Sequence, residues 1–153
     1  QAFDLLGRRM LGSGGRLARL LGGLVGGFCT HHAGYEELAE FVPRLAGLLK
    51  EWTDVTERLG GRAAQDPVEM EAAAVDYLQF TGYLCLAWCW AKMAAVAIVR
   101  LKQQPADAGF YEAKLATARF YFARILPRAE AHVDALAGGA APLLALPADR
   151  FRF

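Results

Sequence analysis

The chain lacks an excess of either charge: seventeen Lys and Arg stand against sixteen Asp and Glu, for a net charge of +1 over 153 residues, with no run of like sign. The long-range field that gathers nucleic acid is therefore missing, and no nucleic-acid partner is expected. Cysteine is scarce. Three thiols, an odd number without the dense spacing of a secreted scaffold, fit a reducing compartment and small buried side chains, so a cytoplasmic location is expected. No strand pattern, internal repeat or low-complexity segment occurs. The opening QAFDLLGRR carries an acid and has no apolar targeting core, which argues against a signal peptide, and a first residue of Gln instead of Met reads as a cut start.

What is abundant is apolar. Hydrophobic residues make up 55% of the chain and aromatic residues 11%, enough to offset the entropy of folding by burial. The length suits one ordinary domain and is too short for a two-domain enzyme with its own cofactor fold. The stretch from Tyr83 to Val99 comes close to membrane-spanning length, but Lys92 sits near its middle and Gln79 and Arg100 flank it. A buried helix, with no membrane span, is the expectation.

The apolar periodicity is helical throughout. Phe3, Leu6 and Met10 predict a short first helix ending at Gly12-Ser13-Gly14-Gly15, four residues of poor helix propensity. Leu17, Leu20, Leu21, Leu24 and Phe28 predict a second, weakened by Gly22, Gly23, Gly26 and Gly27, which would serve close helix approach. Leu38, Phe41, Leu45, Leu48, Trp52, Val55 and Leu59, spaced by threes and fours, give the cleanest stripe, kinked or started at Pro43 and stopped by Gly60-Gly61. Asp66-Pro67 opens a long helix that runs toward Gln104 and ends at Pro105. Its centre, apolar on every side between Gly82 and Val99, predicts a helix covered by neighbours all round. Asp107 then caps a last long helix with the stripe Tyr111, Leu115, Ala118, Phe122, Ile125, Ala129, Val133 and Leu136, bent at Pro127. After Gly138-Gly139, Leu143, Leu144 and Leu146 suggest a tail laid against the bundle. The predicted fold is all-α and four-helix-bundle-like, with a short N-terminal helix and an irregular C-terminal tail.

Candidate chemistry is thin. Cys85 and Cys89 share a helical face, and Cys29, His31 and His32 cluster on another helix, but the spacing specifies no zinc site and free thiols on an apolar helix read as core. His31 and His32 are expected at a helix end, where imidazole meets free carbonyls. His132 lies beside Glu130 and Asp134, read as a solvated face, and nothing nominates a nucleophile. GSGGR lacks the strand-and-helix context of a phosphate cradle. Trp88, Trp90 and Met93 with Tyr83 offer surfaces suited to an acyl chain, although packing explains them as well. Phe120, Tyr121 and Phe122 point about 100° apart on a helix, so one or two are expected to meet another subunit or domain. No catalytic, cofactor-binding or metal-ligating residue is assigned.

Three segments carry a family resemblance: DYLQFTGYLCLAWCWAKMA at 76–94, FYEAKLATARFYFARILP at 110–127, and ALPADRF at 145–151. They resemble the extra C-terminal helical domain of certain acyl-CoA dehydrogenases, including the long bacterial forms related to 3-methylmercaptopropionyl-CoA dehydrogenase. The resemblance covers most of the chain and is strongest from Asp76 to Pro127. QAFDLLGRR also resembles the segment that follows a Tyr-Glu-Gly-Thr stretch, whose glutamate is the catalytic base in many relatives. The resemblance therefore implies that residues 1–12 end a preceding dehydrogenase domain, that 13–153 form a C-terminal bundle, and that the base lies upstream of Gln1. It implies a parent that binds FAD and oxidises an acyl-CoA to a 2-enoyl-CoA, removing the pro-R α-proton as a hydride leaves the β-carbon for flavin N5. This chain would then hold neither FAD nor metal, would be inactive alone, and would contact the remaining dehydrogenase domains within a homo-oligomer. The alternative is a stand-alone helical-bundle interaction module with no enzymatic parent.

Overall fold

The computed structural model describes the backbone of residues 2–150 and the side chains of 15–147, 149 and 150. The chain is all-α, as its periodicity requires, and no strand occurs among the described residues. Its helices are α1 (Ala2–His32), α2 (Val42–Gln65), α3 (Val68–Lys102), α4 (Ala108–Phe120), α5 (Ala129–Gly138) and a single turn, α6 (Ala141–Leu144).

Two glycine-based boundaries are corrected. α1 runs unbroken through Gly12–Gly15, and α2 runs through Gly60–Gly61 to Gln65. Each glycine costs an isolated helix roughly 1 kcal/mol but keeps its N–H, so the hydrogen-bond ladder continues where a proline would break it. The helical register of α1 also differs from the expected stripe. Val25 and Cys29 are buried, with Ala18, Leu21 and Phe28 packed behind them, whereas Leu17, Leu20 and Leu24 face outward. Of the glycines read as close-approach sites, only Gly26 meets a neighbour, the Leu49 side chain, while Gly22, Gly23 and Gly27 border open space.

Proline punctuation holds. Pro43 lies in the first turn of α2, where its missing N–H leaves no bond unmade, and a short turn at Glu36–Leu38 precedes it. The expected stripe is buried from Leu38 to Leu59, with Leu48 half-covered. Asp66 ends α2 and begins α3, its carboxylate accepting the Val68 N–H at 3.0 Å. Pro127 divides the last long helix into α4 and α5. Its ring and missing N–H disrupt the preceding turn, which widens into a π-type turn over Tyr121–Ile125 and tightens over Leu126–Arg128. The widening lets the neighbours Tyr121 and Phe122 both enter the core and leaves Phe120 outside.

α2, α4 and α5 pack along α3, and α1 packs on α2. The inner face of α3 is narrow: Ala73, Phe80, Leu84, Ala87, Ala91, Ala94 and Ala97 are all buried, and the alanines admit neighbouring helices closely. The outer face is not covered by the described residues. Val75, Leu78, Leu86 and Val96 are each more than half exposed, so the expectation that α3 is surrounded is overturned within this chain. α3 is long and apolar enough to cross a membrane by length and composition, while its inner face is occupied by the other helices. The tail is corrected too. Ala140 is buried, but the one turn of α6 leaves Leu143, Leu144 and Leu146 exposed and off the bundle.

Candidate functional site

One cluster of part-buried ionic contacts lies where the start of α3 meets the ends of α2 and α5. Arg62, in the last turn of α2, donates to the Leu136 carbonyl at 2.6 Å and to the Ala137 carbonyl at 3.3 Å. A guanidinium here satisfies orphan carbonyls at the negative end of α5. Glu69, in the first turn of α3, lies 3.4 Å from Arg62 Nε, an ionic contact whose N–H is not aimed for a hydrogen bond. The other Glu69 oxygen accepts the Ala140 N–H at 3.2 Å. Gly139 turns between them with φ of 66° and ψ of −164°, a conformation side chains rarely adopt. Residues from three helices thus form a clamp that no local pattern announces; only the Gly138-Gly139 stop pointed toward it.

One turn along, His132 Nδ1 lies 2.8 Å from an Asp76 carboxylate oxygen, and its ring rests against Tyr83 with centroids 5.8 Å apart. His132 is therefore not simply on a solvated face beside Glu130 and Asp134; it is three-quarters buried and paired across the α3–α5 seam. Tyr121 donates to the Tyr83 carbonyl at 2.9 Å, and burial, reinforced by Tyr83, Cys85 and Cys89, holds its phenol well above the usual range. Among the described residues no hydroxyl or thiol nucleophile is hydrogen-bonded to this imidazole, so the pair does not complete a nucleophilic arrangement there.

The cysteines and histidines weighed for metal stay apart. Cys29, His31 and His32 lie on α1, Cys85 and Cys89 on α3, and no group of three ligating side chains converges among the described residues. Burial raises the Cys29 thiol, and burial followed by the neighbouring Cys89 raises Cys85, which disfavours the thiolate that binds metal or attacks a substrate. His32 Nδ1 lies 2.9 Å from the Phe28 carbonyl, the helix-end role expected of it.

The aromatic group is split as well. Trp88 and Trp90, two residues apart on one helix, project to different sides; Lys92 places its ammonium 4.7 Å over the Trp88 ring. They do not line one acyl pocket. An open cleft of about 350 Å³ lies elsewhere, between α2 and α5, lined by Val55, Arg58, Arg62 and Leu136. Its cationic rim offers no acid or nucleophile. FAD does not fit the glycine-rich segment either: Gly12–Gly15 are helical, so their N–H groups point along the α1 axis into its own ladder instead of fanning around a phosphate.

This architecture, a helical bundle held by an apolar core and a polar clamp, with exposed apolar residues on α3, defines an all-α helical module. Residues 21–147 match the family described as acetyl-CoA dehydrogenase C-terminal like, and the chain belongs to that family, a C-terminal domain of acyl-CoA dehydrogenases. It is 33% identical over 130 residues to a 3-methylmercaptopropionyl-CoA dehydrogenase of Ruegeria pomeroyi (strain ATCC 700808 / DSM 15171 / DSS-3), a match covering 82% of this chain and 21% of the relative. The chain therefore spans about a fifth of the curated relative it matches. Membership of this family makes it an accessory module of such enzymes.

Proposed function

We propose that the chain is the C-terminal structural module of an FAD-dependent acyl-CoA dehydrogenase whose catalytic base and flavin are carried by polypeptide outside these 153 residues. The observation that carries the reading is the relative's match, which takes in most of this chain and a small part of a dehydrogenase. The parent oxidises an acyl-CoA to a 2-enoyl-CoA in the cytoplasm, and the module contributes apolar scaffolding against the remaining dehydrogenase domains. In this reading residues 1–12 belong to the end of the preceding domain, and α1, which is unbroken there, continues into the bundle.

The test is spectroscopic and kinetic. Purified 153-residue chain is expected to show no stoichiometric flavin absorbance and no oxidation of acyl-CoA with an artificial electron acceptor, whereas a version extended upstream through a Tyr-Glu-Gly-Thr stretch and the domains before it shows both. Near-equimolar flavin, or turnover by the 153-residue chain, overturns the reading. A start codon immediately before Gln1 in the coding DNA overturns it in favour of a stand-alone interaction module.

A further inference from the structure

Two of the three thiols stand together on one helix. Cys85 and Cys89 are four residues apart near the middle of α3, so they share a face one turn apart, whereas Cys29 is buried on α1. Cys85 is half-buried and Cys89 is exposed. Packing accounts for the first and not for the second, because Leu86 and Val96 fill neighbouring exposed positions without a reactive thiol. Met93 follows one turn on in the same row, so three successive turns present sulfur.

We propose that Cys85 and Cys89 are the two ligands of a soft monovalent metal ion, copper(I), held between their sulfurs. Spacing is the first reason. A helix sets side chains four apart with their Cβ atoms about 5–6 Å from each other, and a disulfide needs about 3.5–4.5 Å, so closing that bond would unwind α3. Two sulfurs on one ion, each at about 2.3 Å, stand up to about 4.6 Å apart and span the wider gap.

Ligand number is the second reason. Among the described residues no group of three His, Cys, Asp or Glu side chains converges, so no carboxylate or imidazole completes the set. Zinc takes four ligands, or three and a water, whereas sulfur donors select copper(I), which two thiolates satisfy. Burial and the neighbouring thiol make the Cys85 proton harder to remove, a cost that only a strongly sulfur-seeking ion offsets. Two thiols and one ion give a dithiolate complex and two protons, with no change of oxidation state. That complex carries one net negative charge. Lys92, three residues after Cys89 and seven after Cys85, lies on their side of the helix, its ammonium 4.7 Å over the Trp88 ring. Among the described residues no carboxylate pairs with Lys92, which leaves its charge to offset the complex. The proposal goes beyond the accessory-module reading and does not rest on it, because the ion is read without flavin or acyl-CoA.

The experiment titrates copper(I) into the purified, reduced 153-residue chain without oxygen, against a chromophoric copper(I) chelator and in the presence of excess glutathione. One ion per chain is expected, with two protons released and with helical circular dichroism and sedimenting mass unchanged. Cys85→Ala and Cys89→Ala should each weaken binding by about a hundredfold or more, the share a second tethered donor contributes, and Cys29→Ala should bind as wild type does. Leu86→Cys in a Cys89→Ala background keeps two thiols on α3 but turns them about 100° apart, and should bind no better than Cys89→Ala alone. This variant leaves Cys85 and its packing in place, so a disturbed core cannot account for its loss of binding. Surrender of the ion to glutathione, which marks an adventitious ion only, overturns the proposal. So do binding that survives Cys85→Ala, the behaviour of a lone surface thiol, and a doubled sedimenting mass, the behaviour of an ion bridging two chains. Stoichiometric zinc(II) held as tightly as copper(I) overturns the choice of ion.

Discussion

Gly139 offers the most direct test of the clamp. Its φ of 66° with ψ of −164° lies in a region open in practice to glycine alone, and forcing a side chain there costs about 1–3 kcal/mol. A Cβ would also stand 3.1 Å from both Glu69 carboxylate oxygens and 3.3 Å from Arg62 Nη1. Glu69 cannot move aside freely, because one oxygen accepts the Ala140 N–H and the other faces Arg62. Displacing it adds about 1 kcal/mol, the worth of a typical lost hydrogen bond. Gly139→Ala should therefore lose about 2–4 kcal/mol, which for a domain of this size lowers Tm by roughly 5–15 °C. Gly138→Ala is the control: Gly138 is helical and has open space around a Cβ, so alanine there should be neutral or stabilising by up to about 1 kcal/mol. Urea and thermal unfolding followed at the helical circular dichroism band measure both. In a Glu69→Ala background the steric share disappears while the backbone share stays, so the Gly139→Ala penalty should shrink by about 1 kcal/mol and not vanish. A Gly139→Ala loss under about 0.5 kcal/mol, or equal effects at Gly138 and Gly139, would refute the argument.

Other consequences follow from the core. Phe122 is 2% exposed and meets Phe41 edge-on at 5.1 Å, so Phe122→Ala should cost about 3–5 kcal/mol, while Phe120→Ala, at a site 57% exposed, should stay within about 0.5; equal losses in urea titrations would contradict the widened turn. Thr81→Val removes the hydroxyl that accepts the Trp52 indole N–H at 2.9 Å, which should cost about 1–3 kcal/mol and change Trp emission; an unaltered unfolding midpoint argues against that bond. Burial raises the Cys29 and Cys85 thiols and the Tyr77 and Tyr121 phenols. The folded chain holds these protons more tightly than the unfolded chain, so their contribution is complete below the ordinary thiol value of 9.0 and is lost as pH rises through the raised values. Thermal midpoints should fall on the alkaline side of about pH 9, less steeply in Tyr121→Phe; a midpoint that rises there contradicts the sign.

What the sequence discloses depends on whether the cause is local. The α2 stripe from Leu38 to Leu59, the Asp66-Pro67 start and the break at Pro127 are all set by periodicity or by a missing N–H, and each stands where the residues put it. Glycine was the poorer guide. Gly12–Gly15 and Gly60–Gly61 weaken a helix without breaking it, and nothing in the glycines themselves says which side of that balance tertiary context takes. The α1 register was ambiguous because Leu17, Leu20 and Leu24 form an apolar stripe beside the one ending at Val25 and Cys29, and only the position of α2 decides between them. The clamp and the Asp76–His132 pair join residues far apart in sequence, so neither leaves a local spacing to find. The family, by contrast, was legible in the order of residues across 76–94 and 110–127, where amphipathicity alone leaves the order free.

α3 departs most from what its sequence predicts. A helix apolar on all sides need not be surrounded on all sides, and the two faces of α3 differ in kind. The inner face is mostly alanine, fitted to close packing by α2, α4 and α5, while the outer face carries larger Val and Leu side chains that none of the described residues covers. Folding needs the first face and does not need the second, so the two should separate under substitution. Ala87→Leu, at a fully buried site, should overpack the core and lower stability by about 1–3 kcal/mol. Leu86→Ala, one residue along and half exposed, should leave the unfolding midpoint of dilute chain within about 0.5 kcal/mol of wild type while weakening whatever association the chain makes. If Leu86→Ala destabilises the dilute chain as much as Ala87→Leu does, the outer face belongs to the fold itself, and the separation between folding surface and docking surface fails.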